Sequence, residues 1–232
     1  VARSGKVALP LLLAAPGDNG AAFRVTRPVV AAATTGHVVV RPDGDGIFRQ
    51  ISPVEMAGSD RMPHLGLATA LLAGRVPQTN GTFIPFAGPP GTYPTVSFAS
   101  VLRGELPPEL LRDRIVLVGA NAGGLGDRFA TPVGGRRDLM AGVEVQANIV
   151  DALLHGGLRS VAGFGPSLMF AAVALALLWA GFLFAGPREN LVCAALIFCA
   201  VLGVAALLLV QGNLWIRPAP ALVTLVIMFP LW

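Results

Sequence analysis

Apolar positions follow two regimes along this chain. Through residue 160 they come in short runs broken by glycine, proline and charge; beyond it they continue for several helical turns without interruption. Residues 164–185 (FGPSLMFAAVALALLWAGFLFA) hold 22 positions without a charge, and residues 191–210 (LVCAALIFCAVLGVAALLLV) hold another 20. About 20 apolar residues suffice to cross the hydrocarbon core of a bilayer, so both runs predict transmembrane helices. A third segment, 214–232, carries the apolar run APALVTLVIMFPLW and reaches the last residue short of spanning length. It is expected to be a truncated span. The competing reading, a buried helical hairpin of a soluble protein, is disfavoured by two consecutive runs of this length.

The first 160 residues alternate strand-like and helix-like patterns and predict a mixed α/β module. In HVVVRPDGDGIFRQI, β-branched residues flank Asp43-Gly44-Asp45-Gly46, which predicts a hairpin over residues 37–51. Residues 62–76 carry Leu65, Ala68 and Leu72 at helical spacing, with Pro63 suited to a first turn. A short strand is expected at 83–86 and a short helix at 97–102 ending at Gly104. Residues 115–119 (IVLVG) form a continuous apolar run, the pattern of a strand buried on both faces. In GVEVQANIVDALLHGG, Val143, Gln146, Ala147, Val150 and Leu154 recur every three or four residues and predict a helix over 142–155, stopped by glycines.

Charge sharpens the division. Of 30 charged residues, 27 precede residue 160; the remainder holds only Arg188, Glu189 and Arg217. Arg188 and Arg217 fall in alternate short loops, so loop charge does not set the orientation, while Trp179, Trp215 and Trp232 lie towards span ends, where indole rings favour the headgroup region. The N-terminal region has 15 basic and 12 acidic residues without a basic cluster, which argues against nucleic acid as a partner. Cys193 and Cys199 both sit in the second apolar run, so no disulfide framework or cysteine metal site is expected. The start at Val1, with no signal-like opening, is read as the interior of a longer protein.

Candidate chemistry concentrates in RIVLVGANAGGLGDRFATP (114–132). The turn has no Gly-Lys-Ser/Thr ending to reach phosphate and magnesium, and Asp127 and Pro132 leave little room for the helix that a dinucleotide fingerprint requires. Nucleotide binding is therefore not expected; glycines turning the chain tightly, with Asp127 capping nearby amides, is the reading preferred. His37, His64 and His155 are too dispersed for a metal site, Ser97 and Ser100 lack a nucleophile elbow, and Asp43 and Asp45 lack the downstream glutamate of a calcium loop. No cofactor and no catalysis are expected from these residues. Ionisable residues are absent from the two long spans, which argues against a transport role.

Taken in order, GHVVVRPDGDGIFRQISP, GTYPTVSFASVLRGELP, RIVLVGANAGGLGDRFATP and AGVEVQANIVDALLHGGLRSV, followed by closely spaced spans, resemble the C-terminal portion of the type-two CHASE domain over roughly residues 35–160, with the early part of the sensor expected to be incomplete. The resemblance implies the extracytoplasmic sensor of a bacterial receptor, with residues 1–160 outside the plasma membrane, further spans, and a cytoplasmic output domain beyond this chain, such as an adenylate cyclase or a histidine kinase. It implies a cytoplasmic 186–190 loop and an extracytoplasmic 211–218 loop, and it makes the Gly-x-x-Asp-x-x-x-Thr-Pro stretch a hallmark. The candidate sensor or structural residues are Gly119, Gly124, Gly126, Asp127, Arg128, Thr131, Pro132, Gly142, Glu144 and Asn148, with architecture favoured over ligand contact. Glu144 and Asn148 share a helix face and are expected to hydrogen-bond the 119–132 loop. Expected partners are the lipid bilayer, a second copy in a homodimer helped by small residues on the spans, and a small extracytoplasmic ligand. The alternative is a membrane-anchored binding or scaffold protein with no output domain.

Overall fold

The computed structural model describes residues 4–14, 24–26, 28, 30–77, 79–121, 127–184 and 186–229, and the chain divides into two compact units, Val1–Leu158 and Arg159–Trp232. The first is mixed α/β. Its three-stranded sheet centres on β1 (Ala8–Ala14), which pairs antiparallel with β2 (Arg24–Thr26) and parallel with β3 (Thr34–His37). A tight hairpin follows, β4 (Val54–Ala57) and β5 (Asp60–Pro63), turning at Gly58 with φ of 68°. It delivers the chain to α1 (Leu65–Leu72), whose first turn is capped by His64: the ring Nδ1 accepts the Gly66 N–H at 3.1 Å. Short helix α2 (Phe98–Leu102) and a 3-10 turn at Pro108–Leu110 lead to a second hairpin, β6 (Arg128–Thr131) with β7 (Gly135–Ala141), which runs directly into α3 (Gly142–His155).

The helices α1 and α3 meet where Gly66 leaves room: a Cβ there would lie 2.7 Å from Ile149 Cγ2. Around that contact the core gathers Phe48, Leu67, Met140, Val145, Ile149 and Leu153, all buried. Burying a side chain of this size contributes about 1.5–3 kcal/mol, and these residues come from segments spread over a hundred positions, which ties the hairpins and both helices into one core.

Four sequence expectations need correction. The strand expected at 83–86 is reduced to an isolated antiparallel bridge between Phe83 and Gln50. Residues 37–51 do not form a hairpin. Asp43 and Gly46 make the expected turn (Gly46 N–H to Asp43 C=O, 2.8 Å), but His37 is already committed to the ladder with β1, so the flanking residues have no strand partner in each other. Residues 115–119 are not a buried strand: they run without ladder pairing, with Val116 and Val118 exposed at 52% and 75%. An apolar run states a capacity for burial, and here no described neighbouring strand takes up its backbone groups. The helix expected over 62–76 is shorter, because Met62 and Pro63 belong to β5 and Gly74, with φ of 75°, lies beyond its end.

The second unit is helical. It contains α4 (Phe164–Phe184), α5 (Pro187–Gly212) and α6 (Ala219–Met228), with a two-residue parallel pairing of β8 (Ser160–Val161) and β9 (Leu214–Trp215) at one end. Ala171, Ala174, Leu178, Val201, Ala221 and Leu225 form its core. Alanines there let backbones approach, as does Gly181, where a Cβ would fall 2.7 Å from Asn190 Oδ1. The spans Phe164–Phe184 and Glu189–Gly212 have mean hydropathy of 2.2 and 2.9, yet only 22% and 11% of their most apolar windows are buried. A soluble core helix would be mostly buried; here leucine, valine and phenylalanine face outwards, as a lipid environment requires. Two helices are thus long and apolar enough to cross a membrane, and α6 is a shorter apolar helix of 10 residues.

Candidate sensory site

The first turn of α3 is the meeting point of the hallmark segment. Glycine at 119 permits a close approach: a Cβ there would lie 2.6 Å from that of Val143. The Asp127 carbonyl accepts the Gly142 N–H at 3.0 Å, and the Asp127 carboxylate lies directly over Gly142, in space that any side chain at 142 would occupy. Gly142 is buried, so this contact places an acidic group beside the positive end of the α3 dipole. Arg128 opens β6 and is exposed, its backbone opposite Ala141. Thr131 is fully buried at the other end of the hairpin, where its Oγ1 accepts the Gly134 N–H at 3.3 Å, and Pro132 enters the turn. Gly124 and Gly126 lie outside the described residues.

Glu144 and Asn148 do share a face of α3, and among the described residues their side chains hydrogen-bond another loop. Asn148, 1% exposed, accepts the Ala87 N–H on Oδ1 at 2.8 Å, and its amide donates to the Glu144 carbonyl at 2.9 Å. Glu144 Oε1 accepts the Gly91 N–H at 2.7 Å, and one turn beyond Asn148 the Asp151 carboxylate accepts the Tyr93 hydroxyl at 3.1 Å. Burial and the adjacent Asp151 carboxylate push the Tyr93 phenol well above its ordinary value, which keeps it a neutral donor. Residues 87–93 are therefore clamped along one face of α3 by three polar side chains at positions 144, 148 and 151. Among the described residues Glu144 and Asn148 are engaged by this clamp; residues 122–126 of the 119–132 loop expected to be their partner lie outside the described residues. The polar spacing on the helix was visible in the sequence; nothing local indicated a partner more than fifty residues away.

Two further features escaped the sequence reading. His37 and His64 are both fully buried and stack edge to face with ring centroids 5.0 Å apart. Each Nδ1 accepts a backbone N–H, from Val39 at 3.3 Å and from Gly66 at 3.1 Å, which leaves the proton of each neutral ring on Nε2. Among the described residues the buried Nε2 of His64 has no hydrogen-bond partner, while His37 lies beside the Ser52 backbone. Burial pushes His64 down to about 3, and the neighbouring ring adds to the effect; His37 is lowered by burial, partly opposed by the Glu55 carboxylate.

The second feature is a cavity of about 890 Å³ between β1, Val38 and Val40 just after β3, α1, residues 114–119 and the first turns of α3. Its walls are largely apolar, with Lys6, Arg114, Asp127 and Gln146 among the polar lining groups. The unpaired 115–119 segment forms one side, so the expected central strand instead borders this space.

The aspartates of the DGDG turn serve an ion-pair cluster. Arg49 reaches Asp43 and Asp45 at 2.7 Å each, and Arg136 donates to the Asp45 carbonyl at 2.5 Å; the guanidinium of Arg49 holds the Asp45 carboxyl well below its usual range. Among the described residues no group of three His, Cys, Asp or Glu side chains is arranged to hold a metal ion.

A family model described as the CHASE2 domain matches residues 6–187, which covers the α/β unit and all of α4. No curated protein and no solved structure matches the chain.

Proposed function

The chain belongs to the CHASE2 domain family, a family of extracellular sensory domains, and from that membership we propose that it is the input region of a bacterial transmembrane receptor. In this reading the α/β unit is extracytoplasmic, α4, α5 and α6 are three spans of the plasma membrane, and the signal passes to a cytoplasmic output domain such as an adenylate cyclase or a histidine kinase. The observation that supports it most is the extent of the family match, residues 6–187, which takes in α4, one of the two helices long and apolar enough to cross a membrane.

The chemistry available suits sensing and relay. The hallmark aspartate is laid against the first turn of α3, and α3 is clamped along a second face to residues 87–93. A change at the Asp127 end therefore has a route into α3, the last helix before the membrane-spanning segment. Dimerisation through the small residues of the spans would give repacking of the bundle a partner to act on.

The test is a chimaera in which an adenylate cyclase catalytic domain is appended after residue 232. Substitutions along the clamp, such as Asn148→Leu and Asp151→Asn, are expected to shift basal cyclase activity in membranes. Activity that is indifferent to every substitution at positions 127, 142, 144, 148 and 151, in chains that insert normally, would remove the relay.

A further inference from the structure

Two buried imidazoles stand where an uncharged cap would serve. His37 ends β3 and His64 precedes α1; their backbones meet in an isolated parallel bridge, and their rings stack edge to face with centroids 5.0 Å apart. Helix first turns are ordinarily capped by Ser, Thr, Asp or Asn, whereas a histidine changes charge within the physiological range. In each ring Nδ1 accepts a backbone N–H, from Val39 and from Gly66, and Nδ1 is the atom on which a second proton must land. An N–H cannot accept an N–H. An imidazolium at 64 therefore loses the cap of α1, and one at 37 loses the Val39 contact.

The surroundings offer little to hold such a charge in place. Ile149 and Leu153 of α3 crowd the Gly66 position beside the His64 ring, and among the described residues His37 is the titratable group that acts on His64. His37 stands opposite Leu11 of β1 and faces the Glu55 carboxylate of β4, which Arg41 already engages at 2.7 Å. Protonation and the closed arrangement thus exclude each other.

We infer that the histidine pair makes the α/β unit a proton sensor, in which protonation at His64, helped by His37, releases the first turn of α1 and slackens its contact with α3. The inference names the stimulus of the input region proposed above and rests on that reading for its biological meaning, while the opening itself is read independently. The route from ring to helix is short. Gly66, whose N–H is released, is where α1 meets α3, a Cβ there lying 2.7 Å from Ile149 Cγ2; Gly36, next to His37, is pressed on α1, a Cβ there lying 2.6 Å from the Leu65 Cα. Movement of that turn is therefore felt by β3 on one side and α3 on the other. The closed His64 ring is neutral and the released ring titrates near 6.5, so from pH 7 to pH 5 the opening equilibrium rises roughly 25-fold through His64 alone. An output that tracks the open form changes even while that form is the minor one.

The first test follows amide exchange at Gly66 in the full chain in phosphatidylcholine nanodiscs at pH 7 and pH 5, corrected for intrinsic pH dependence, with and without dilute urea. Protection is expected to fall at least tenfold on acidification, with no sensitivity to urea, the mark of a local opening. His64→Asn keeps a capping side chain and should hold the loss below threefold. The second test places the cyclase chimaera in bacterial cells and shifts the medium from pH 7 to pH 5. Cyclic AMP output is expected to change at least threefold relative to the same chimaera carrying His37→Asn and His64→Asn. The inference is overturned if Gly66 protection is unchanged in the parent, if its exchange follows urea as global unfolding does, if His64→Asn keeps the full acid response, or if the chimaera ignores the pH of the medium. Exchange in the parent needs no variant, so a substitution that unfolds the unit leaves the first test decisive. A chimaera that ignores pH but responds to the clamp substitutions removes the proton as stimulus and leaves the sensory reading standing; one that ignores both removes both.

Discussion

Lowering the pH from 6.5 to 4.5 is expected to destabilise the α/β unit, with His64 as a principal cause. The ring is fully buried, its Nδ1 is occupied as the acceptor that caps α1, and its Nε2 faces no acceptor among the described residues, so the folded state holds it neutral with a pKa pushed down to about 3. In the unfolded chain the ring titrates near 6.5. The stability linked to His64 is therefore complete above that value and is lost as pH falls from about 6.5 towards about 3, because the unfolded state binds the extra proton throughout that window. One proton of difference corresponds to about 1.4 kcal/mol per pH unit, so two units remove roughly 2–3 kcal/mol, a sizeable part of the 5–15 kcal/mol that ordinary domains possess. His37 acts in the same direction, with Glu55 moderating it. Native-state hydrogen exchange of the α1 and α3 amides, corrected for intrinsic pH dependence, reads the loss. His64→Asn keeps a side chain able to cap the helix but cannot titrate, and should reduce the slope by about one proton's worth. Equal slopes in the parent and His64→Asn, or an imidazolium signal from His64 in the folded chain at pH 5.5, would refute the reasoning.

Three other outcomes follow from single contacts. Gly142→Ala places a methyl where the Asp127 carboxylate lies; because that side chain is exposed, stability should change by no more than about 1 kcal/mol, and a large drop in melting temperature that Asp127→Ala fails to reverse would contradict it. Asn148→Leu strands the Ala87 N–H and should cost about 1–3 kcal/mol, with exchange protection lost at Ala87; unchanged protection there would show that the clamp does not depend on Asn148. Gly181→Val should separate α4 from α5 at Asn190, seen as slower disulfide crosslinking between cysteines introduced on the two helices; an unchanged rate would mean that the close approach is unnecessary.

Much of the architecture was legible because its causes are local or compositional. The helix Gly142–His155 begins and ends where its periodicity and its following glycines place it, and the two long apolar helices follow from uninterrupted runs that no short-range contact has to explain. The type of the DGDG turn was likewise written in its own residues, although Arg49 as the partner of both aspartates was not. What sequence reasoning missed depends on which segment meets which. The parallel pairing of β1 with β3 withdraws His37 from the expected hairpin, and residues 115–119, apolar enough for a buried strand, border a cavity because strand formation needs a neighbouring edge as well as a pattern. The clamp joins residues 53, 58 and 61 positions apart, and the buried histidines meet across two elements. Local periodicity specifies which face of an element is apolar; only the closed tertiary structure, by deciding what that face and its polar groups encounter, lays the Asp127 carboxylate over Gly142.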